Sequence, residues 1–272
     1  MMLGKKSETR YWDGLWSGGT LPPAVDPGDR SLDNHINLLL HEFVTAALRG
    51  HGPDSAGASL VEIGCAASTW LPYFARVHGM QVAGLDYSEP GCRSARAQLD
   101  RYGIEGEIHN VDLFDCPASL RERFDVAFSV GFVEHFEDPA VPLARIRDLL
   151  KPGGMALTVI PNLEGVNGWL TKTLNRPVYD LHVVIPPEAL ARHQEAAGLA
   201  VTQCGHLGGL NLCVVNFAGQ RGLRTRVLPR LFSWGSKSWW MLERIARRAG
   251  LGLPVTALLS PYTASVAIRP GR

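Results

Sequence analysis

Leu60-Val61-Glu62-Ile63-Gly64-Cys65-Ala66-Ala67-Ser68-Thr69 is the stretch whose reading decides the fold. A short run of branched apolar residues stops at a glycine, passes through small side chains and enters a helical pattern from Thr69 to His78, which predicts a strand, a tight turn and a helix. Such a turn brings a ligand against backbone at the carboxyl edge of a parallel sheet, beside a helix N-terminus, and a nucleotide is the default ligand. Asp86 comes 22 residues after Gly64 and ends the next apolar run, where a carboxylate can accept from both hydroxyls of a ribose.

Outward from this stretch, strands and helices alternate as βα units around a parallel sheet. Strands are expected at 60–63, 81–85, 107–111, 125–130 and 155–160. Ser88 caps a helix that runs to Tyr102, with Pro90 in its first turn and Gly103 at its end. Another helix starts at Asp138-Pro139 and ends before Pro152-Gly153-Gly154. Residues 161–180 break the alternation and read as an insertion over one sheet edge, a candidate substrate wall. A helix from Pro187 to Ala197 leads to a strand near 199–204, with further strands expected at 210–218 and 262–268. An antiparallel last strand often closes such a mixed sheet.

Upstream, Ile36, Leu39, Leu40, Phe43, Val44 and Ala47 recur with helical spacing between Ser31 and Gly50, while residues 1–30 combine aromatic residues with a Gly/Pro-rich stretch and read as an irregular arm. The expected fold class is α/β, a Rossmann-like, mostly parallel sheet with flanking helices, an antiparallel C-terminal strand and a helical cap insertion. The expected organisation is an N-terminal arm and lid helix over 1–50, then one domain over 51–272 with insertions at about 161–185 and 219–258. In the second insertion, Arg221, Arg224, Arg226, Arg230, Lys237, Arg244, Arg247 and Arg248 face only Glu243, with Phe232, Trp234, Trp239 and Trp240 interleaved. That segment is either an amphipathic cap for an anionic substrate or membrane surface, or a helix packed by its aromatics with its cations in water.

The chain of 272 residues balances 27 Lys and Arg against 26 Asp and Glu, so no overall field gathers nucleic acid. Apolar residues at 46% and charged residues at 19% exclude a mainly disordered chain. No long apolar run and no signal-peptide pattern are present, which leads to the expectation of a soluble, cytoplasmic protein. The five cysteines lack zinc-ligand spacing, so no metal is expected.

Glycine count separates two nucleotide ligands. A dinucleotide fingerprint needs a second glycine for close approach to a pyrophosphate and a third for helix packing, but those positions hold Ala66 and Thr69. S-adenosyl-L-methionine has no phosphate, and its ammonium favours a carboxylate such as Glu62.

The run Glu62-Ile63-Gly64-Cys65, then Gly84-Leu85-Asp86-Tyr87-Ser88, Asp112, Phe124-Asp125-Val126 through Glu134-His135, and Leu150-Lys151-Pro152-Gly153-Gly154 resembles class I S-adenosylmethionine-dependent methyltransferases of the small-molecule type. The match covers about 59–162 and departs from the family at Ala66 and Ser68, where further glycines often stand. The resemblance implies S-adenosyl-L-methionine as cofactor. It puts Glu62, Gly64 and Ala66 around the methionine moiety, with Cys65 in the same turn, and Asp86 on the ribose. Tyr87 would lie against adenine, Asp112 would accept from its amine and Leu113 would supply a backbone donor. Ser129, Val130 and Gly131 would lie near the sulfonium, and Tyr11, Trp12 and Trp16 would fold over the cofactor as a lid. Alternatively, Asp112 is a turn residue and the aromatics pack a loose terminus.

Methyl transfer from a positive sulfur needs positioning, and a hydroxyl or ammonium acceptor must also lose a proton, which suits a histidine. His135, after the fourth strand and next to Glu134, and His182, after the first insertion, are the candidate bases. His35 and His41 are expected on the polar side of the N-terminal helix, with His35 facing the pocket if that helix is a lid, and His109 is expected to be satisfied within its strand.

The expected function is methyl transfer to an oxygen or nitrogen of a small, partly apolar acceptor, in secondary metabolism. The alternatives are a lipid or quinone methyltransferase at a membrane surface, an NAD(P)-linked oxidoreductase, and a cofactor-binding module without turnover. Nucleic acid is not expected as a substrate, because no Asn/Asp-Pro-Pro-aromatic sequence follows the fourth strand. Nothing in the sequence specifies an oligomeric state.

Overall fold

Ser59–Ile63 (β1) is buried along nearly its whole length, as a central strand covered on both faces must be. Its alternate side chains enter two separate cores. Leu60 joins one with Trp70, Phe74, Phe128 and Leu157, whereas Val61 and Ile63 join another with Leu143, Ile146 and Leu190. Glu62 shares the face of Leu60, so its carboxylate is carried toward the turn that follows β1.

The computed structural model describes residues 9–16, 20–51, 55–212, 214–220 and 222–271. In chain order the helices are α1 (Thr9–Trp16), α2 (His35–His51), α3 (Trp70–His78), α4 (Glu89–Arg101), α5 (Ala140–Leu149), α6 (Val166–Leu174), α7 (Arg176–Asp180), α8 (Pro187–Ala196) and α9 (Arg224–Arg248). The remaining strands are β2 (Gln81–Asp86), β3 (Gly106–Asn110), β4 (Phe124–Val130), β5 (Leu150–Pro161), β6 (Ala200–Leu207) and β7 (Tyr262–Ile268). They form a seven-stranded sheet in the order β3-β2-β1-β4-β5-β7-β6. Only β7 runs against its neighbours, pairing antiparallel with both β5 and β6. The sheet is therefore mostly parallel and Rossmann-like, with the antiparallel strand near the C-terminus. Strand order reverses between β1 and β4, and a crevice opens at their carboxyl ends.

Sequence chemistry explains the local elements. Ser88 Oγ accepts from Gly91 N at 3.2 Å and starts α4, and Gly79 ends α3 in the left-handed region at φ 64°. Phe128 is fully buried, with the rings of Trp70 and Phe74 centred 5.4 and 5.0 Å away. Truncating it to alanine removes roughly 3–5 kcal/mol of stability.

Four expectations are corrected. Part of the N-terminal arm is helical, as α1, and α2 contributes Leu40, Phe43 and Val44 to the sheet's own core. β5 begins at Leu150 rather than Met155, because a register shift opposite Phe124 and Val126 absorbs Lys151–Gly154 within the strand. The 161–180 insertion, expected as a candidate substrate wall, folds into α6 and α7, and none of its residues is among those lining the crevice. The described residues of 210–218 form turns and irregular backbone rather than a strand. Their polar groups meet side chains instead: Ser236 Oγ accepts from Leu212 N at 2.8 Å, and Asn175 Nδ2 donates to the carbonyls of Asn216 and Ala218. Cys65, Cys92, Cys116 and Cys204 are free thiols, and Cys213 lies outside the described residues.

Candidate active site

The crevice encloses about 500 Å³, within the range usual for small-molecule sites. Its floor is the turn after β1. Gly64 takes φ +74°, and a Cβ there would lie 3.1 Å from the Phe132 ring, so both conformation and space call for glycine. Ala66 N donates to Asp86 Oδ2 at 3.1 Å and Ser88 N donates to Asp86 Oδ1 at 2.8 Å. These bonds fix the carboxylate at the end of β2, and each oxygen keeps acceptor capacity toward the cavity. Burial nevertheless raises the Asp86 carboxyl above its ordinary value, opposed by the bonds from Ser88 and Ala66.

Glu62 is buried in this floor. Ser68 Oγ donates to Glu62 Oε2 at 2.5 Å and itself accepts from Trp70 N and Leu71 N, both at 3.0 Å. One hydroxyl thus caps α3 and holds the carboxylate. The serine that replaces a glycine of the family pattern has a structural task. Burial pushes the Glu62 carboxyl up to about 8, with the Ser68 bond opposing and the Asp86 charge adding.

Of the residues expected around the cofactor, Glu62, Gly64, Ala66, Asp86, Tyr87, Asp112, Leu113, Val130 and Gly131 line the cavity. Cys65 and Ser129 do not. Cys65 packs into the core beneath Gly84, where an added Cβ would come within 2.5 Å of its sulfur, and Ser129 is buried within the sheet between Ile63 and Thr158. Asp112 lines the cavity, and its Oδ1 accepts from Phe114 N at 3.1 Å to start a short 3₁₀ turn.

Trp12 and Trp16 bring α1 over the crevice, and Ser88 Oγ ties that helix to α4 by donating to Asp13 Oδ1 at 2.8 Å. The Tyr11 side chain lies outside the described residues. Phe132, Phe136, Trp70, Leu21 and Pro22 also line the cavity and were missed. The aromatic pair four residues apart after Gly131 was the available signal for Phe132 and Phe136.

On the β4 side, Glu134, His135 and His182 come together, with one donor atom from each lying within 4.8 Å of the others. The imidazoles of His135 and His182 have centroids 4.6 Å apart, and Trp12 meets His135 edge-on at 5.1 Å. His135 lines the cavity and His182 stands behind it. Nδ1 of His135 donates to the Leu181 carbonyl at 2.9 Å and Nδ1 of His182 to the Val178 carbonyl at 2.7 Å. A carbonyl can only accept, so Nδ1 of each ring carries a proton, and with His135 held neutral its Nε2 carries the lone pair.

Glu134 is fully buried, and neither carboxylate oxygen has a hydrogen-bond partner among the described residues. Burial pushes Glu134 up to about 8 and, with the neighbouring His182 adding, pushes His135 down to about 4. The trio can accept and share a proton, and a His/His/carboxylate donor set can also take a divalent cation. The absence of metal-ligand spacing in the sequence gave no sign of this, because α7 and the turn after it supply the third member from 47 residues downstream of His135.

His35 is not on an open polar face. It is 7% exposed beneath the Trp240 ring, at 4.5 Å, and burial with the Arg247 charge lowers it to about 4. His41 shares a 2.7 Å hydrogen bond with the Tyr73 hydroxyl. His109 meets Glu107 at 3.1 Å on its own strand.

The chain belongs to the methyltransferase-domain family, whose model matches residues 33–204. It is an S-adenosyl-L-methionine-dependent methyltransferase. It is 31% identical over 194 residues to a ubiquinone biosynthesis O-methyltransferase from Nitrobacter winogradskyi, covering 65% of this chain and 73% of that one. It is 32% identical over 174 residues to a protein of the same name from Methylobacterium sp., covering 57% and 68%. Solved structures share the fold at lower identity. The [4+2]-cyclase SpnF matches at a TM-score of 0.58 and 16% identity, over 97% of this chain and 92% of that one. The Haemonchus contortus phosphoethanolamine N-methyltransferase 2 complex with S-adenosylhomocysteine matches at 0.53 and 15%, over 85% and 53%.

Proposed function

We propose that this protein methylates a hydroxyl oxygen on a small, partly apolar aromatic acceptor. The observation that carries this reading is the Glu134–His135–His182 cluster beside the crevice, because a hydroxyl must surrender a proton as it takes a methyl group. Bound S-adenosyl-L-methionine supplies a methyl carbon already activated by positive sulfur. The chain's own work is then chiefly placement, which can contribute on the order of 7–11 kcal/mol at best.

In this reading Glu62 receives the cofactor's ammonium, which offsets the burial of its carboxylate. Asp86 accepts from the ribose hydroxyls, Tyr87 lies against adenine, and Asp112 accepts from the adenine amine. Val130 and Gly131 border the methionine end. Trp12, Phe132 and Phe136 form an aromatic wall suited to a flat acceptor. His135 takes the hydroxyl proton on Nε2, with the Glu134 carboxyl group close by to offset the resulting charge. The relatives' names support oxygen over nitrogen and favour a quinone-type acceptor over the secondary metabolite expected from the sequence.

A second reading of the same cluster, favoured by the two unpartnered Glu134 oxygens, is a divalent cation site that orients the acceptor oxygen. Turnover that stops on chelation and returns with added cation selects it. The function itself is tested by offering alkyl-substituted catechols and matched amines with methyl-labelled cofactor. A labelled methyl ether is the expected product; methylation of the amines alone overturns the proposal.

A further inference from the structure

α9 runs for 25 residues beyond the matched methyltransferase region and carries three distinct faces. The inner one is docked on the body: Trp240 covers His35, Phe232 meets Phe217 at 5.9 Å, and Ser236 bonds Leu212 N. The outward side is apolar where a helix facing only water would be polar. Val227, Leu231, Trp234, Met241 and Ile245 follow one another by three, four or seven residues, which at 3.6 residues per turn sets them in a stripe about 80° wide. All five are exposed, Trp234 by 74% and Ile245 by 58%.

Beside the stripe, on one side, lies a ridge of cations. Arg226, Arg230, Lys237, Arg244 and Arg248 are spaced by four, seven, seven and four residues, which aligns them within about 40° of helix circumference. Lys237 pairs with Asp33, and Arg244 lies over the Trp240 ring at 4.9 Å. Arg226, Arg230 and Arg248 are exposed and pair with no acid among the described residues. The helix's single acid, Glu243, is turned inward and is taken by Arg247 at 2.9 Å.

The apolar surface continues past the helix. Leu251, Val255 and Leu258 are exposed, and the Leu258 and Ala257 carbonyls accept from Val166 N and Asn162 Nδ2, which joins this loop to α6 and its exposed Trp169. No helix among the described residues is long and apolar enough to cross a membrane.

We propose that the outer face of α9 lies in the surface of an anionic lipid bilayer, with the Trp234 stripe among the upper acyl chains and the Arg226–Arg230–Arg248 ridge on the lipid phosphates. The charge pattern selects this occupant. An apolar stripe with cations along its border satisfies both parts of a bilayer interface at once, and tryptophan is suited to the headgroup level. The proposal stands on this surface alone and does not depend on which acceptor the site methylates.

The test is flotation of the full chain with phosphatidylcholine vesicles, with and without phosphatidylglycerol. Binding is expected only with phosphatidylglycerol and is expected to fall steeply with added salt. Reversing the ridge as R226E/R230E/R248E should weaken it by roughly a hundredfold or more, given about 1 kcal/mol per cation near such a surface. Trp234→Ser should weaken it by roughly tenfold. Cofactor affinity, read on the same preparations, should stay unchanged and so certify folding. The proposal is overturned if the wild type fails to float at low salt, or if the variants float as well as it does. It is equally overturned if Trp234→Ser dissolves a concentration-dependent dimer of a protein that ignores vesicles, which would assign the face to a second copy.

Discussion

Glu62 and Glu134 make a natural pair. Glu62 lies in β1 and Glu134 just beyond the adjacent β4, both are buried beside the same crevice, and burial pushes both up to about 8. Glu62 has the Ser68 hydroxyl, and the hydrogen bonds that hold it come from one unbroken stretch of chain, 62–71. Glu134 has no hydrogen-bond partner for its carboxylate among the described residues, and its neighbours come partly from the turn after α7. Under the proposed function, the difference separates a cofactor side built by local sequence from an acceptor side built by tertiary contact. An unsatisfied buried carboxylate costs stability unless something else compensates it, and under the proposed function the Glu134 cluster is where that cost serves chemistry.

The sharpest way to break this contrast is to remove His135. His135→Ala should lower kcat by about 10²–10⁴-fold while cofactor affinity stays near that of the wild type, because general-base losses have that size. Equal loss of cofactor binding would merge the two sides into one site. Next in size is Glu134→Gln. A carboxyl raised from its ordinary value of 4.5 to about 8 binds its proton more tightly in the folded state, so its stabilising effect is complete below pH 4.5 and is lost as pH rises toward 8. The variant should therefore gain stability on the wild type between these limits, by on the order of 3 kcal/mol near pH 8. Parallel stability curves in denaturant titrations at pH 5 and 8 would show that Glu134 is not the unpaired group.

How much could be read beforehand follows the same division. The β1 turn, Asp86 and the Ser88 cap were legible because strand, turn and helix signals sit within ten residues of one another. The Leu210–Ala218 expectation failed because a run of apolar residues does not reveal that Ser236 and Asn175 will take its backbone bonds. His135 and His182 were each picked out by position, but their meeting depends on how α6 and α7 return the chain to β4. No local pattern encodes that contact. Cys65 shows the reverse limit: its place inside a binding motif does not decide which way its side chain points.

On the cofactor side, Asp86→Ala should weaken S-adenosyl-L-methionine binding by roughly 1–3 kcal/mol, through loss of its ribose bonds. Unchanged affinity by calorimetry would remove the ribose role. Glu62 allows a finer test. With its carboxyl near 8 it holds a proton at pH 7, and an ammonium docking on it favours the ionised form. Cofactor binding at pH 7 should release close to one proton (~1), measured from the dependence of binding heat on buffer ionisation. The release should vanish in Glu62→Gln and persist in Glu134→Gln.

Ser68→Ala is expected to have the smallest effect and discriminates most finely. The hydroxyl accepts from Trp70 N and Leu71 N and donates to Glu62, so removing it leaves the start of α3 uncapped and Glu62 as bare as Glu134. Loss of such a cap costs about 1 kcal/mol in a melt or denaturant titration. Without Ser68 nothing opposes the burial of Glu62, so its carboxyl should move further above 8, and the pH at which cofactor binding stops releasing a proton should rise with it. A stability loss with an unshifted proton-release profile would reduce Ser68 to a helix cap. A shift in both would make one serine both the cap of α3 and the group that holds the first carboxylate ready.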